Sequence, residues 1–316
     1  MSDTCWRFPF GRGLLLSVNG LDEASERLCG WLAQRWDRAE PGQAAVCADF
    51  RCTVDYRSCA IAFRSKQVLR DLGDTQHGRA AVFASADGAY GVEVEGFGTI
   101  IRDAGGRLNV LLDRQAAQSA EDSPGRWLGC EILTSHYMTV AGYCLAHAGG
   151  VCRDGRCVLW TGESGAGKTT RVLELVAAGW DYIGDDVVML RPGPAGWEVS
   201  PYRRTAHVSV DTCRRFVQLS GLAGRKPFGD KHLFDIAQYF DTRIPDRAAV
   251  DEIYFLHGVG DEPPRRLSAS EAFECLAPGF LYYIWPDDGP GMLDMVLAMA
   301  SEVPVYGIGR GAEYER

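Results

Sequence analysis

Gly162-Glu163-Ser164-Gly165-Ala166-Gly167-Lys168-Thr169-Thr170 is the stretch from which the rest of the chain is read. Its first eight residues fit G-x-x-x-x-G-K-[ST] at every fixed position. The residue types follow from the chemistry of an anion. Glycines let backbone N–H groups turn inward and meet phosphate oxygens with no Cβ in the way. A helix that follows points its N-terminal dipole at the same charge. Lys168 brings a full positive charge to the β- and γ-phosphates, and the Thr169 hydroxyl can ligate Mg²⁺. The flanks agree. Arg156–Thr161 reads as an apolar strand, joined to a preceding strand at 147–152 by the turn Arg153-Asp154-Gly155. A helix is predicted from about Lys168 to Ala178, with Val172, Leu173, Leu175 and Val176 as its apolar face and Gly179 at its C-terminal cap. A glycine-rich turn carrying a surface lysine would have neither flank.

Asp185 and Asp186 end the strand-like run Tyr182-Ile183-Gly184, within a longer apolar stretch, 180–190, that reads as one strand. They stand 17 and 18 residues beyond Lys168 (185 − 168 and 186 − 168). One helix and one returning strand bring a chain of that length back beside the loop. Neighbouring strand residues point opposite ways, so one carboxylate can face a metal while the other faces a substrate. A metal ligand and a general base are what phosphoryl transfer to a hydroxyl requires. The spacing does not say which aspartate is which.

Elsewhere the chain divides near Gln115–Arg126, a polar, small-residue stretch with Pro124-Gly125 that reads as a linker or exposed loop. This predicts a smaller α+β domain over 1–125 and a nucleotide-binding domain over 126–316. In the first, 21–36 places Leu21, Leu28, Trp31, Leu32 and Trp36 at helical spacing, and 44–56, 80–83, 91–101 and 108–112 look like strands. In the second, 131–146 carries a helical stripe, 251–257 and 303–308 read as strands, and Ser268-Ala269-Ser270-Glu271 is a capping box.

Composition limits the function. The 316 residues are 46% hydrophobic and 24% charged, enough to bury a core. The net charge of −9 repels phosphate backbones, so nucleic acid is a poor partner. The longest apolar runs, such as 292–300, are too short to cross a bilayer, and the N-terminus shows no secretory pattern. A cytoplasmic chain without a membrane partner is expected. The eleven cysteines form no C-x-x-C pair and read as reduced thiols.

These residues resemble the nucleotide core of the superfamily that contains HPr kinase/phosphorylase and ATP-dependent phosphoenolpyruvate carboxykinase. The similarity to HPr kinase runs from His147 to Leu190 without a gap. His147 stands 21 residues before Lys168 (168 − 147), in His147-Ala148-Gly149 where that family has H-G-V. Ile244-Pro245-Asp246-Arg247-Ala248-Ala249-Val250 is similar to the family's P-G-R-N-L-A-V segment. The resemblance implies an α/β, carboxykinase-like P-loop core after a smaller N-terminal α+β domain, with ATP and Mg²⁺ as cofactors. Gly162, Glu163, Ser164, Gly165, Ala166, Gly167, Lys168, Thr169 and Thr170 would form the phosphate loop. Thr169 and Asp186 would hold the metal, and the aspartate pair would supply ligand and base. His147 and Arg247 would stabilise the transferring charge. Separately from the resemblance, the basic, glycine-containing segment 225–231 reads as a loop whose Lys231 reaches the γ-phosphate or the substrate. The family's second metal-binding glutamate has only Asp211 as a weak stand-in, and its basic C-terminal phosphorylase motif is missing, so phosphorolysis is not carried over. Residues 1–125 do not resemble the family's N-terminal domain. Relatives assemble into oligomers, which implies a homo-oligomer.

The expected reaction is transfer of the ATP γ-phosphoryl group to a serine or threonine of a protein or peptide. A small hydroxylated molecule is the alternative acceptor, and a nucleotide-gated regulatory protein without turnover is the alternative of another class.

Overall fold

The structure, a computed structural model of the chain, describes residues 5–9, 14–19, 28, 31, 46–51, 67–75, 78–84, 88–103, 105–106, 108–113, 116, 123–222, 225, 231–258, 260–280 and 284–312. It is a mixed α/β protein with several sheets and two compact units, Met1–Ala141 with Ile284–Pro286, and Gly142–Tyr283 with Asp287–Arg316.

In the first unit, β1 (Cys5–Pro9) pairs antiparallel with β2 (Leu14–Asn19), which runs parallel to β3 (Val46–Arg51). A five-stranded antiparallel meander follows: β4 (Gln67–Thr75), β5 (Gly78–Ala84), β6 (Tyr90–Val94), β7 (Gly98–Arg102) and β8 (Leu108–Leu112). Along β8, buried Leu108, Val110 and Leu112 alternate with half-buried Asn109 and Leu111, the period of a strand with one face in the core. The stretch 91–101, read as one strand, is two. The chain turns at Glu95-Gly96-Phe97 and pairs back on itself, which buries Phe97. Of the helix expected at 21–36, Leu28 and Trp31 are helical and buried, and the other positions lie outside the described residues.

The expected linker at 115–126 ends inside a helix. α1 (Pro124–Val140) opens on Ser123-Pro124-Gly125-Arg126, where the Ser123 Oγ accepts the Arg126 N–H at 3.2 Å. A serine cap followed by proline at the first helical position starts a helix as readily as it makes a turn. α1 stops at Val140, and 144–146, placed in that helix by its apolar pattern, is strand β9 (Cys144–Ala146).

The second unit is built on a six-stranded sheet. β10 (Gly149–Arg153) and β11 (Arg156–Gly162) form a hairpin through Asp154 and Gly155, whose φ values of 54° and 84° suit the tight turn that matches strand twist. After the phosphate-type loop come α2 (Lys168–Ala177) and β12 (Asp181–Gly184), which returns beside β10. β13 (Val188–Gly193) and β14 (Gly196–Pro201) leave that sheet. With β9 and the short β17 (Ala248–Ala249) they make a second sheet, ordered β17-β14-β13-β9. The stretch 180–190, read as one strand, is therefore two strands in different sheets, joined at Asp185-Asp186-Val187. β15 (Thr205–Ser209) leads into the one-turn α3 (Val210–Cys213) and pairs with β16 (Lys231–Asp235). The large sheet is completed by β18 (Glu252–His257), β19 (Arg265–Arg266) and β20 (Val305–Gly309), in the order β12-β10-β11-β18-β20-β19. β18 runs parallel to β11 and to β20.

Both faces of this sheet are buried, and β11 shows why its sequence is continuously apolar. Val158 and Trp160 enter one core with Val172, Leu173 and Val176 of α2. Cys157 and Leu159 enter the other, with Leu276 and Phe280 of α4 (Ala269–Phe280) and Val296 and Met299 of α5 (Gly289–Glu302). Each fully buried aliphatic side chain contributes about 2 kcal/mol relative to exposure. α4 begins at the expected capping box: Ser268 N–H donates to Glu271 Oε2 at 2.8 Å, and Glu271 N–H returns to Ser268 Oγ at 3.4 Å.

Candidate active site

The loop at 162–169 leaves the end of a buried central strand and enters α2 at Lys168. Gly162, Gly165 and Gly167 have φ values of 141°, 80° and 105°, which L side chains rarely adopt. Gly167 caps α2 without a side chain, and a Cβ there would stand 3.1 Å from Arg310 Nε. Lys168 is buried. Its ammonium curls back over the loop and donates to the carbonyl oxygens of Gly162 at 2.8 Å and Glu163 at 3.0 Å. Burial lowers its pKa, with Asp186 opposing that shift.

The corner between β12 and β13 carries the acidic pair to the same place. The Thr169 hydroxyl donates to the Asp185 main-chain oxygen at 3.3 Å, tying the first turn of α2 to that corner. The Asp185 carboxylate is buried, accepting the Tyr182 O–H on Oδ1 at 2.8 Å and the His207 N–H on Oδ2 at 3.0 Å. Burial and the neighbouring Asp186 raise its pKa to about 6. Asp186 is 29% exposed, with Oδ1 3.5 Å from His147 Nδ1 and Oδ2 3.7 Å from His207 Nδ1. Burial would raise its pKa, but His207, Lys231, His147 and Arg203 outweigh burial and hold it below the usual carboxylate range. His147 is held by its N–H to Gly279 O at 2.7 Å and by its carbonyl, which accepts the Thr161 hydroxyl at 3.3 Å. Burial and Lys168 lower its pKa, with Asp186 opposing that shift.

These groups line one cleft of about 380 Å³. Of the sequence-predicted residues it gathers His147, Ser164, Gly165, Gly167, Lys168, Thr169, Thr170, Asp185, Asp186 and Lys231, as well as Asp211. Lys231 opens β16, directly across from Ser209, and residues 226–230 of its expected loop lie outside the described residues. Asp211 is exposed and paired with Arg214 at 2.9 Å. Ala166 lines an adjoining recess, while Gly162 and Glu163 contribute carbonyls to Lys168. Arg247 is not brought to the cleft. It is exposed beside the second sheet, with Nη1 3.8 Å from Glu198 Oε2. The strand pairing of Ala248 and Ala249 with Glu198 and Val199 holds it there.

The cleft also contains residues that the sequence pattern did not single out: His207, Ser209, Thr212, Arg215 and Arg310, with Tyr182 behind Asp185. Arg215 and Arg310 come from a turn and from the far end of β20, and no spacing rule links them to the loop. His207 is buried between Ala206 and Val208 in a strand that begins and ends on Thr205 and Ser209, so its sequence offered no clear signal.

No protein-family model matches the chain, and no curated protein matches it. Among solved structures, the Hpr(Ser) kinase/phosphatase from Coxiella burnetii is similar over 52% of this chain and 85% of its own, at 16% identity and a TM-score of 0.32. A likeness at that level carries no weight for fold or chemistry.

The side chains present fit a magnesium nucleotide. Open space around Gly165 and the left-handed glycines leave the loop amides reachable, and an ammonium, a hydroxyl and an ionised carboxylate share the cleft. Among the described residues no three His, Cys, Asp or Glu side chains gather as a metal cluster.

Proposed function

We propose that the second unit is an ATP-dependent kinase that transfers the γ-phosphoryl group to the hydroxyl of a serine or threonine in a protein or peptide. The observation that carries this reading is the convergence of Lys168, Thr169, Asp185 and Asp186 on one cleft. The acceptor class comes from the sequence resemblance.

The residues divide the work by environment. Lys168 exchanges its two loop carbonyls for phosphate oxygens. Asp186, ionised and part-exposed, and the Thr169 hydroxyl would hold Mg²⁺, which would supply positive charge against the phosphates. Asp185 takes the proton. Environments that drive paired carboxylates apart in pKa mark out their roles, and a base near 6 is better matched to neutral pH than one held low. Its two hydrogen bonds occupy two of about four lone-pair positions and leave it able to accept another. The acceptor oxygen forms a bond to the γ-phosphorus, the bond from that phosphorus to the β,γ-bridging oxygen breaks, ADP leaves, and the hydroxyl proton passes to Asp185. Lys231 offsets the negative charge around the cleft, and a ring N–H of His147 can donate a hydrogen bond to it.

The test is transfer from γ-labelled ATP with Mg²⁺ to a serine/threonine peptide library and to a panel of small alcohols. Label on peptide, lost in Lys168→Ala and Asp185→Asn, is the expected result. Label on small alcohols alone overturns the acceptor class, and tight ATP binding with no transfer to any acceptor overturns the kinase.

A further inference from the structure

We propose that Arg310 is a phosphate-clamping residue of this site, a role that rests on the nucleotide reading above. Arg310 is carried by the turn after β20, 142 residues beyond Lys168 (310 − 168), and no motif marks it. Its side chain crosses the start of α2. Nε lies 3.1 Å, and Cδ and Cγ 3.7 Å, from the point where a Cβ on Gly167 would stand. The missing side chain at 167 therefore does two things: it permits the left-handed turn and makes room for a guanidinium above the first amides of the helix.

The turn that carries Arg310 is held from two sides. Arg171, one turn into α2, donates through Nη2 to the main-chain oxygens of Arg310 at 3.2 Å and Ala312 at 3.0 Å. From the other side, Gly309 N–H donates to Glu262 O at 3.0 Å and Gly311 N–H to Gly260 O at 2.8 Å. A long side chain on a pinned backbone loses less freedom on binding than one on a loose loop.

Charge in the adjoining recess points the same way. This recess, about 250 Å³, shares Gly167, Thr170, Arg215 and Arg310 with the main cleft. Three guanidiniums, those of Arg171, Arg215 and Arg310, stand there against the single carboxylate of Glu174. Glu174 is already engaged by Arg171 at 3.4 Å and Arg215 at 3.6 Å. Among the described residues no carboxylate pairs with Arg310. Arg310 is exposed, and a guanidinium with no carboxylate partner beside a helix N-terminus is placed to take an anion, its planar fork suiting phosphate oxygens. Lys168 and Arg310 would then both hold the phosphate chain.

The experiment measures binding of MgATP, MgADP and adenosine to the full chain for wild type, Lys168→Ala, Arg310→Ala and Arg310→Lys, with melting temperatures taken without nucleotide. Arg310→Ala is expected to weaken MgATP and MgADP about 10- to 100-fold, as loss of a charge-assisted contact does. Arg310→Lys should fall between, adenosine should bind unchanged, and the nucleotide-free melting temperature should hold. Wild-type MgATP affinity in Arg310→Ala, with binding still lost in Lys168→Ala, overturns the clamp and leaves the nucleotide site standing. An equal loss for adenosine overturns it too, because the contact would then be to the nucleoside. A wild-type chain that binds no nucleotide overturns both.

Discussion

The Thr169 hydroxyl donates to the main-chain oxygen of Asp185 at 3.3 Å, so the first turn of α2 and the corner after β12 are joined by a side chain that belongs to the phosphate loop itself. Replacing Thr169 with valine keeps the shape and removes the donor. The corner loses one tether, worth about 1 kcal/mol, and the site loses a metal-facing oxygen. Mg²⁺-dependent nucleotide binding should drop while the fold persists, as circular dichroism and titration with and without Mg²⁺ will check.

The two aspartates should separate kinetically. Asp185→Asn is expected to lower kcat by about 100-fold or more with MgATP affinity largely kept, because a general base typically contributes 10²–10⁴-fold. Asp186→Asn should raise the Mg²⁺ concentration needed for binding. Reversal of that pattern in steady-state and titration data would exchange the two roles.

Asp185 also makes stability depend on pH in a specific direction. Its pKa is raised from 3.8 to about 6 in the folded chain. Between those values the folded state keeps a proton that the unfolded state has released, so stability falls as pH rises through that window and levels off above it. The drop from this one group is about 2–3 kcal/mol. Subtracting the Asp185→Asn profile from the wild-type profile in urea titrations at pH 4 to 7 isolates it. A flat difference would show that the carboxyl is not held up.

Tyr182→Phe removes the 2.8 Å hydrogen bond to Asp185 Oδ1 and little else, since the ring is fully buried and isosteric. That bond favours the ionised carboxylate, so its loss should move the acid limb of the pH–rate profile to higher pH. Thermal melts should show a cost of about 1–2 kcal/mol.

Gly167→Ala tests backbone and side chain together. Alanine is strained at a φ of 105°, and its Cβ would press on Arg310 Nε. A loss of about 1–3 kcal/mol in stability is expected, with nucleotide binding reduced further than by Arg310→Ala alone. Arg247→Ala is the contrasting case. Its guanidinium is exposed against Glu198, and the expected change in turnover is less than twofold.

Much of this was legible along the chain because it is local. The hairpin at Asp154-Gly155, the strand and helix on either side of Gly162–Thr169, and the capping box at Ser268 are all set by neighbours within about five residues. Misreadings came where an apolar run had to be cut. Residues 180–190 and 91–101 are continuous to a pattern of hydrophobicity. What divides them is pairing: β12 bonds to β10 and β13 to β9 and β14, while β6 and β7 bond to each other. Helix α1 was shifted because Ser-Pro-Gly serves a turn and a helix start equally well.

By itself, the sequence determined the loop with left-handed glycines, a lysine and a threonine at the head of a helix, and the aspartate pair one helix and one strand later. Backbone sterics and short-range spacing suffice for that. Only the tertiary structure decided which distant side chains join them. It brought His207 and Arg310 to the loop and left Arg247 beside another sheet, because those positions depend on strand order and on long-range packing, which no spacing along the chain encodes.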